Sequence, residues 1–126
     1  MEISREELNR LTERIIGCAF TVSNTLGCGF LEKVYENALV IELTKNGLNA
    51  KQQVPIEVTY DGFNVGDYTT DILVEDKVIL ELEVVKELDD VHFAQCINYL
   101  KGINLNVSLL LNFAKTKLEI KRLIND

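Results

Sequence analysis

Apolar residues in the first quarter of the chain return every three or four positions. Leu8, Leu11, Ile15, Ala19, Val22 and Leu26 fall on one stripe, which is the spacing of an amphipathic helix. Ser4, with Glu7 three residues on, offers a capping box at its start, and Gly27 and Gly29 break it. A second helix is expected from about Leu31 to Lys45, with Leu31, Val34, Tyr35, Ala38 and Leu39 on one side and Asn46-Gly47 as a left-handed cap. From about residue 51 the period changes to two. Val54, Ile56, Val58 and Tyr60 alternate with polar partners, and Asp61-Gly62 marks a turn. A second strand is expected from roughly Tyr68 to Val74, a tight hairpin at Glu75-Asp76-Lys77, and a mostly apolar, central strand from Val78 to Val85. A third helix follows from about Asp89 to Lys101, capped by Asp89 or Asp90 and stopped by Gly102. Val107 to Phe113, bounded by Asn106 and Asn112, reads as a buried strand. The period of Lys117 to Ile124 fits a helix or an edge strand equally.

The order is α-α-β-β-β-α-β plus a tail. That predicts a mixed β-sheet flanked by helices, in the α/β or α+β class, whose last strand runs parallel to a meander strand through a right-handed crossover. With 126 residues, one domain over 1–126 is expected.

Charge narrows the choice of partners. A net charge of −7 lacks the basic footprint of most nucleic-acid binders, so a polyanion would need a local cationic rim, a metal ion or a partner's basic surface. No apolar run approaches the roughly 20 residues that span a bilayer, and the opening MEISREEL is charged, so a cytoplasmic protein without membrane contact is expected. Three cysteines, Cys18, Cys28 and Cys96, with no C-x-x-C pair, argue against a disulfide framework or a thiolate zinc site. His92 stands alone and cannot build a multi-histidine site.

Acidic residues inside apolar strands are the first anomaly. Glu81 and Glu83 sit two apart and so share a strand face. Asp71 lies as far before the turn near Asp76 as Glu81 lies after it, which makes the two cross-strand neighbours. Burying carboxylates is costly unless they are paired or bind a cation, and three oxygen donors on one patch suit Mg²⁺ or Mn²⁺ better than zinc. The same pattern also fits a solvated face of a half-exposed sheet.

Gly29-Phe30-Leu31-Glu32-Lys33-Val34-Tyr35 is G-x-x-E-x-x-Y, within LGCGFLEKVYENAL. With QQVPIEVTY, YTTDILVEDKVILELE, VHFAQCINYLKG and LLLNF, this run resembles the GxxExxY protein family of the PD-(D/E)XK nuclease superfamily over residues 8 to 124. The resemblance implies a metal-dependent nuclease fold in which a helix supplies Glu32, one strand Asp71, and the next a D/E-x-K pair. The first acid of that pair is Glu81. Glu83 stands where the lysine belongs, so the family's E-L-K is E-L-E here. Two acids of such a site hold the ion, and the lysine orients water and offsets charge on the phosphate. Glu83 could instead bind the metal or accept the water's proton. Lys86, at an odd offset from 83, points to the opposite face. Thr69 and Thr70 stand where the family often carries a basic residue.

Glu32 also fits a helix N-terminus, where an acid is favoured by the dipole. Tyr35 lies on the apolar stripe and fits the core. His92, Gln95 and Tyr99 form one polar stripe of the third helix. Gln95 and Tyr99 match a Q-x-x-x-Y arrangement that, by resemblance, contacts metal-bound water or the substrate backbone. Lys101, Lys115, Lys117, Lys121 and Arg122 offer a basic rim or a solvated tail. Two functions follow: phosphodiester hydrolysis of DNA, before RNA, through Glu32, Asp71, Glu81, Glu83 and Gln95 with Tyr99 and Lys101 on substrate; or a catalytically silent nuclease-fold module that binds nucleic acid or a partner protein. A homodimer is compatible with both.

Overall fold

The computed structural model describes residues 3–125. Helix α1 spans Arg5–Leu26, α2 Glu32–Lys45 and α3 Asp90–Ile103; the strands are β1 Ala50–Tyr60, β2 Phe63–Val74, β3 Val78–Glu83, β4 Val107–Asn112 and β5 Glu119–Ile124. The sheet runs β1-β2-β3-β4-β5, antiparallel except for the parallel β3–β4 pair, which needs α3 as its crossover. This is the expected mixed sheet flanked by helices. No helix among the described residues is long and apolar enough to cross a membrane.

Local chemistry sets most boundaries. The Ser4 hydroxyl accepts the Glu7 N–H at 3.1 Å and starts α1. Gly47, at φ 79°, follows α2, and Asp61-Gly62 turns the first hairpin with both residues at positive φ. Asp89 caps α3, and His92 returns the bond through Nδ1, which accepts the Asp89 N–H at 3.1 Å. His92 is thus a capping residue.

Three boundaries differ from expectation, and the tail, open between helix and edge strand, is settled. Gly102 does not stop α3; Asn104 does, in the left-handed conformation at φ 57° and ψ 49°. A Cβ on Gly102 would lie 2.6 Å from Ile56 Cγ2, so the glycine serves the close approach of α3 to β1. β2 begins at Phe63, because the tight turn zips Phe63–Asp67 onto β1 although Asn64, Gly66 and Asp67 are poor strand formers. β3 ends at Glu83, two residues early, since the Asn112 side chain takes over the main chain there: Nδ2 donates to the Val85 carbonyl at 2.8 Å, and Oδ1 accepts the Val85 N–H at 3.1 Å. The tail is an edge strand, β5, on β4.

The core divides by sheet face. Leu11, Ile15 and Val22 of α1, with Tyr35, Leu39 and Leu43 of α2, meet Val78, Leu80 and Leu82 of β3 and Leu109 and Leu111 of β4. On the other face, Tyr99 and Leu100 of α3 pack on Ile56, Leu73 and Ile79, and Cys96 on Leu110 and Leu123. Tyr35 is wholly buried, stacks on Phe113 at 4.7 Å, and donates its hydroxyl to the Gly27 carbonyl at 2.6 Å. Cys18 and Cys96 are buried, Cys28 is exposed, and all three thiols are free.

Candidate active site

Strand β3 is buried on both faces, so its odd positions should be apolar like its even ones. Ile79 obeys this, but Glu81 and Glu83, on the same α3-facing side, do not. Register between β2 and β3 runs Val74 to Val78, Leu73 to Ile79 and Ile72 to Leu80, then the main-chain pairing stops. Side chains continue it. Asp71 Oδ2 accepts the Leu82 N–H at 2.8 Å, and Glu81 Oε2 lies 3.4 Å from the Asp71 N–H. Asp71 and Glu81 are therefore neighbours where the two strands part.

The opposite side of β2 is also distorted there. Gln52 pairs with Ile72 and Val54 with Thr70, but the intervening Gln53–Asp71 pair is missing. Gln53 sits at φ 52°, an unfavourable region for a glutamine. The alternation of side chains flips at this point. Ile72 and Val74 pack toward α1 and α2, while Tyr68, of the same parity, lies against Tyr99 of α3 with ring centroids 5.7 Å apart. Period-two reading of the strand does not foresee that flip. It leaves Thr70 wholly buried, its Oγ1 without a hydrogen-bond partner, as is Glu81 Oε1.

A buried carboxylate on α2 holds the kink. Glu36 accepts Lys33 Nζ at 2.9 Å, Gln52 Nε2 at 2.8 Å and Gln53 Nε2 at 3.1 Å, while Gln53 Oε1 accepts the Thr69 hydroxyl at 3.1 Å. Sequence reading missed Glu36, Gln52 and Gln53. One signal was present: Glu36 follows Glu32 by four, so both lie on one helix face.

Electrostatics mark the same spot. Burial, then the charge of Asp71, pushes the Glu81 carboxyl up to about 9. Glu32, though exposed at the start of α2, is pushed up to about 7 by partial burial and then by the charges of Asp71 and Glu83, so it stands within the field of the cluster. Burial also raises Glu83, against the opposing field of His92. Lys33 is raised by its bond to Glu36 and by the charges of Asp71 and Glu32, so its ammonium stands within the field of the cluster although Lys33 is exposed. Burial raises the Tyr99 hydroxyl, with the charge of Glu81 next, and holds the Cys96 thiol protonated, pushed up to about 12.

Not every expected residue joins the group. Among the described residues, no three His, Cys, Asp or Glu side chains are gathered closely enough to hold an ion as they stand. Asp71 and Glu81 form the close pair, with Glu32 and Glu83 around it. The orphaned oxygen of Glu81, facing an all-oxygen donor set, fits a hard divalent cation. Gln95 Nε2 donates to the Tyr99 hydroxyl at 3.0 Å, which ties both to the α3 wall of the site. Lys86 is exposed beyond the end of β3. The late cations do not make one rim: Lys115 pairs with Glu119 at 3.3 Å, Lys121 covers the Phe93 ring at 5.6 Å, and Arg122 reaches Asn9 at 2.8 Å. Lys121 and Arg122, adjacent on β5, point to opposite faces.

Acids at the parting ends of two neighbouring strands, in a mixed sheet between helices, define a nuclease-type α/β domain. The chain belongs to the PD-(D/E)XK nuclease superfamily, whose family model matches residues 9–123. Nucleases of this superfamily generally use divalent metal ions. No curated protein matches the sequence. Among solved structures, the fold is similar to SSO0001, with TM-score 0.57 and 17% identity over 74% of this chain and 49% of that one. The chain thus spans about half the length of SSO0001. It is also similar to the alkaline exonuclease LHK-Exo of Laribacter hongkongensis, with TM-score 0.55 and 12% identity over the whole of this chain and 73% of that one. The complex of LHK-Exo with dAMP gives TM-score 0.52 and 11% identity over 91% and 83% of the two chains.

Proposed function

We propose that this chain is a metal-dependent nuclease of the GxxExxY type that hydrolyses phosphodiester bonds of DNA in the cytoplasm. The observation that carries the reading is the Asp71–Glu81 pair, a buried carboxylate with an unpartnered oxygen against a second acid, at the point where β2 and β3 part. Such a pair is unfavourable in a purely structural role. Asp71 and Glu81 would hold Mg²⁺ or Mn²⁺, with Glu83 as a third candidate donor. A bound ion supplies Lewis-acid polarisation of the phosphate and a more acidic attacking water. Glu32, at the start of α2 and within the field of Asp71 and Glu83, is the nearby acid suited to take a proton. Lys33, whose ammonium lies in the field of Asp71 and Glu32, is bonded to Glu36 and leaves the pair without the cation that E-L-E lacks. Gln95 and Tyr99, with Lys101 further along α3, position the strand.

The test is cleavage of end-labelled single-stranded DNA with Mn²⁺. Wild type should cleave slowly, and Asp71→Ala should abolish the reaction. Glu83→Lys, which restores E-x-K and removes a like charge, should raise the rate by about 10²–10³. Failure of wild type and Glu83→Lys to cleave any nucleic acid with either metal would sink the nuclease reading. The E-L-E sequence favours the second reading, a silent module that binds nucleic acid or a partner protein, and that outcome would establish it.

A further inference from the structure

Both strands of the β1–β2 pair change sides at one place. Ala50 of β1 packs with Ile72 and Val74 of β2 on the α1–α2 side of the sheet, whereas Val54 and Ile56 of β1 pack with Tyr99 and Leu100 on the α3 side. A regular strand keeps residues at even spacing on one face, so β1 turns over between Ala50 and Val54, as β2 does between Ile72 and Tyr68. Gln53 and Asp71 stand at that point, in the gap between the Gln52–Ile72 and Val54–Thr70 pairs. Gln53 makes the turn at φ 52°, which a glutamine keeps only when its surroundings hold it there. Glu36 is what holds it. This residue, 2% exposed, accepts Gln53 Nε2 at 3.1 and 3.3 Å, Gln52 Nε2 at 2.8 Å and Lys33 Nζ at 2.9 Å. Every one of these partners is a donor, and a carboxylate offers acceptors alone. None of the four bonds reaches Asp71 or Glu81, so Glu36 acts on that pair through β1. Released from pairing with Gln53, Asp71 turns to β3, where its Oδ2 accepts the Leu82 N–H at 2.8 Å.

We propose that Glu36 is a positioning residue for the acid site. By holding Gln53 in the left-handed conformation it turns β2 over and sets Asp71 beside Glu81, where the pair can take a divalent cation. The cation rests on the nuclease reading; the placement of Asp71 does not. Two consequences of losing the carboxylate have to be told apart. Gln53 is released, and so is the Lys33 ammonium, whose charge would itself oppose a cation close by. Gln53→Gly separates them, because glycine takes positive φ without being held, while Lys33 stays free.

The experiment reads Asp71 through its hydrogen bond rather than through catalysis. Amide hydrogen exchange at Leu82 and Leu80, both buried on β3, is followed by NMR in EDTA. Glu36→Gln should raise exchange at Leu82 about tenfold relative to Leu80, because the Leu82 amide loses its acceptor. Gln53→Val should do the same with Glu36 intact, since a β-branched residue does not settle at positive φ. Glu36→Gln combined with Gln53→Gly should restore slow exchange. Mn²⁺ affinity, by calorimetry, should fall about 10–100-fold in the two single variants and return in the double one. Unchanged exchange at Leu82 in both single variants would overturn the proposal. So would a rise shared equally by Leu80 and Leu82, which is a loss of stability alone. A double variant as impaired as Glu36→Gln also overturns it and assigns the effect to the freed lysine. A wild type that binds no Mn²⁺, with Leu82 responding as expected, removes the metal reading and leaves Glu36 as the residue that places Asp71. Mn²⁺ binding by wild type, with Leu82 unmoved in the variants, does the reverse.

Discussion

The two ends of the β2–β3 hairpin are built by opposite rules. Near the turn, Val74 faces Val78, Leu73 faces Ile79 and Ile72 faces Leu80, all buried and in regular register. One residue further along, the same strands carry Asp71 and Glu81, the main-chain pairing ends, and side chains take its place. The apolar end removes surface from water at about 25 cal/mol per Å², whereas the acid end spends part of that gain on buried charge and on a strained Gln53. A site of this kind is held only because the region beside it is over-determined. The acid end should therefore answer to protons and metal, and the apolar end only to packing.

The largest effect expected is at the apolar end. Leu80→Ala removes a wholly buried side chain from the main core and should lower the free energy of unfolding by about 2–5 kcal/mol, measured by urea denaturation. A loss under about 1 kcal/mol would mean that this end does not anchor the site.

Next comes the response to protons. The Glu81 and Glu32 carboxyls are raised from the usual 4.5 to about 9 and about 7, so the folded protein holds protons that the unfolded chain releases. Stability of the metal-free protein should therefore fall as pH rises from about 4.5 to about 9. Glu81→Gln should flatten much of this dependence and stabilise the metal-free protein at pH 8 on the order of 1–3 kcal/mol, because folding no longer has to take up a proton at this position. Melting curves between pH 5 and 9 read this directly, and a wild-type protein that grows more stable with pH contradicts it.

The smallest effect is metal binding. At about ten times Kd, Mn²⁺ adds about 1.4 kcal/mol, a rise of several degrees in Tm for a domain of this size. Asp71→Asn should lose most of the rise, and Leu80→Ala should keep it from a lower starting temperature. If both variants respond like wild type, the two ends do not differ in the way described.

Much of the architecture was legible before folding was considered. The period of three to four in α1 and α2, the change to period two after residue 50, and the turns at Asp61-Gly62 and Glu75-Asp76-Lys77 follow from local chemistry, and local chemistry is written in adjacent residues. The hairpin register brings Asp71 to Glu81 by counting alone, and the resemblance built on G-x-x-E-x-x-Y points to the superfamily in spite of E-L-E. The remainder depended on contacts between distant segments. Glu36 draws Gln53 into a conformation that its own sequence disfavours, and that kink turns Tyr68 toward α3. Ile56 lies where α3 must present a glycine, so Gly102 stays inside the helix and Asn104 ends it. Asn112 holds the chain beyond Glu83. In each case a partner far along the chain outweighs a local preference of a kilocalorie or less. That is why the order of elements and the identity of the acids could be read from the sequence, while the flip at Asp71 and the turn of Tyr68 toward α3 were decided only by the tertiary structure.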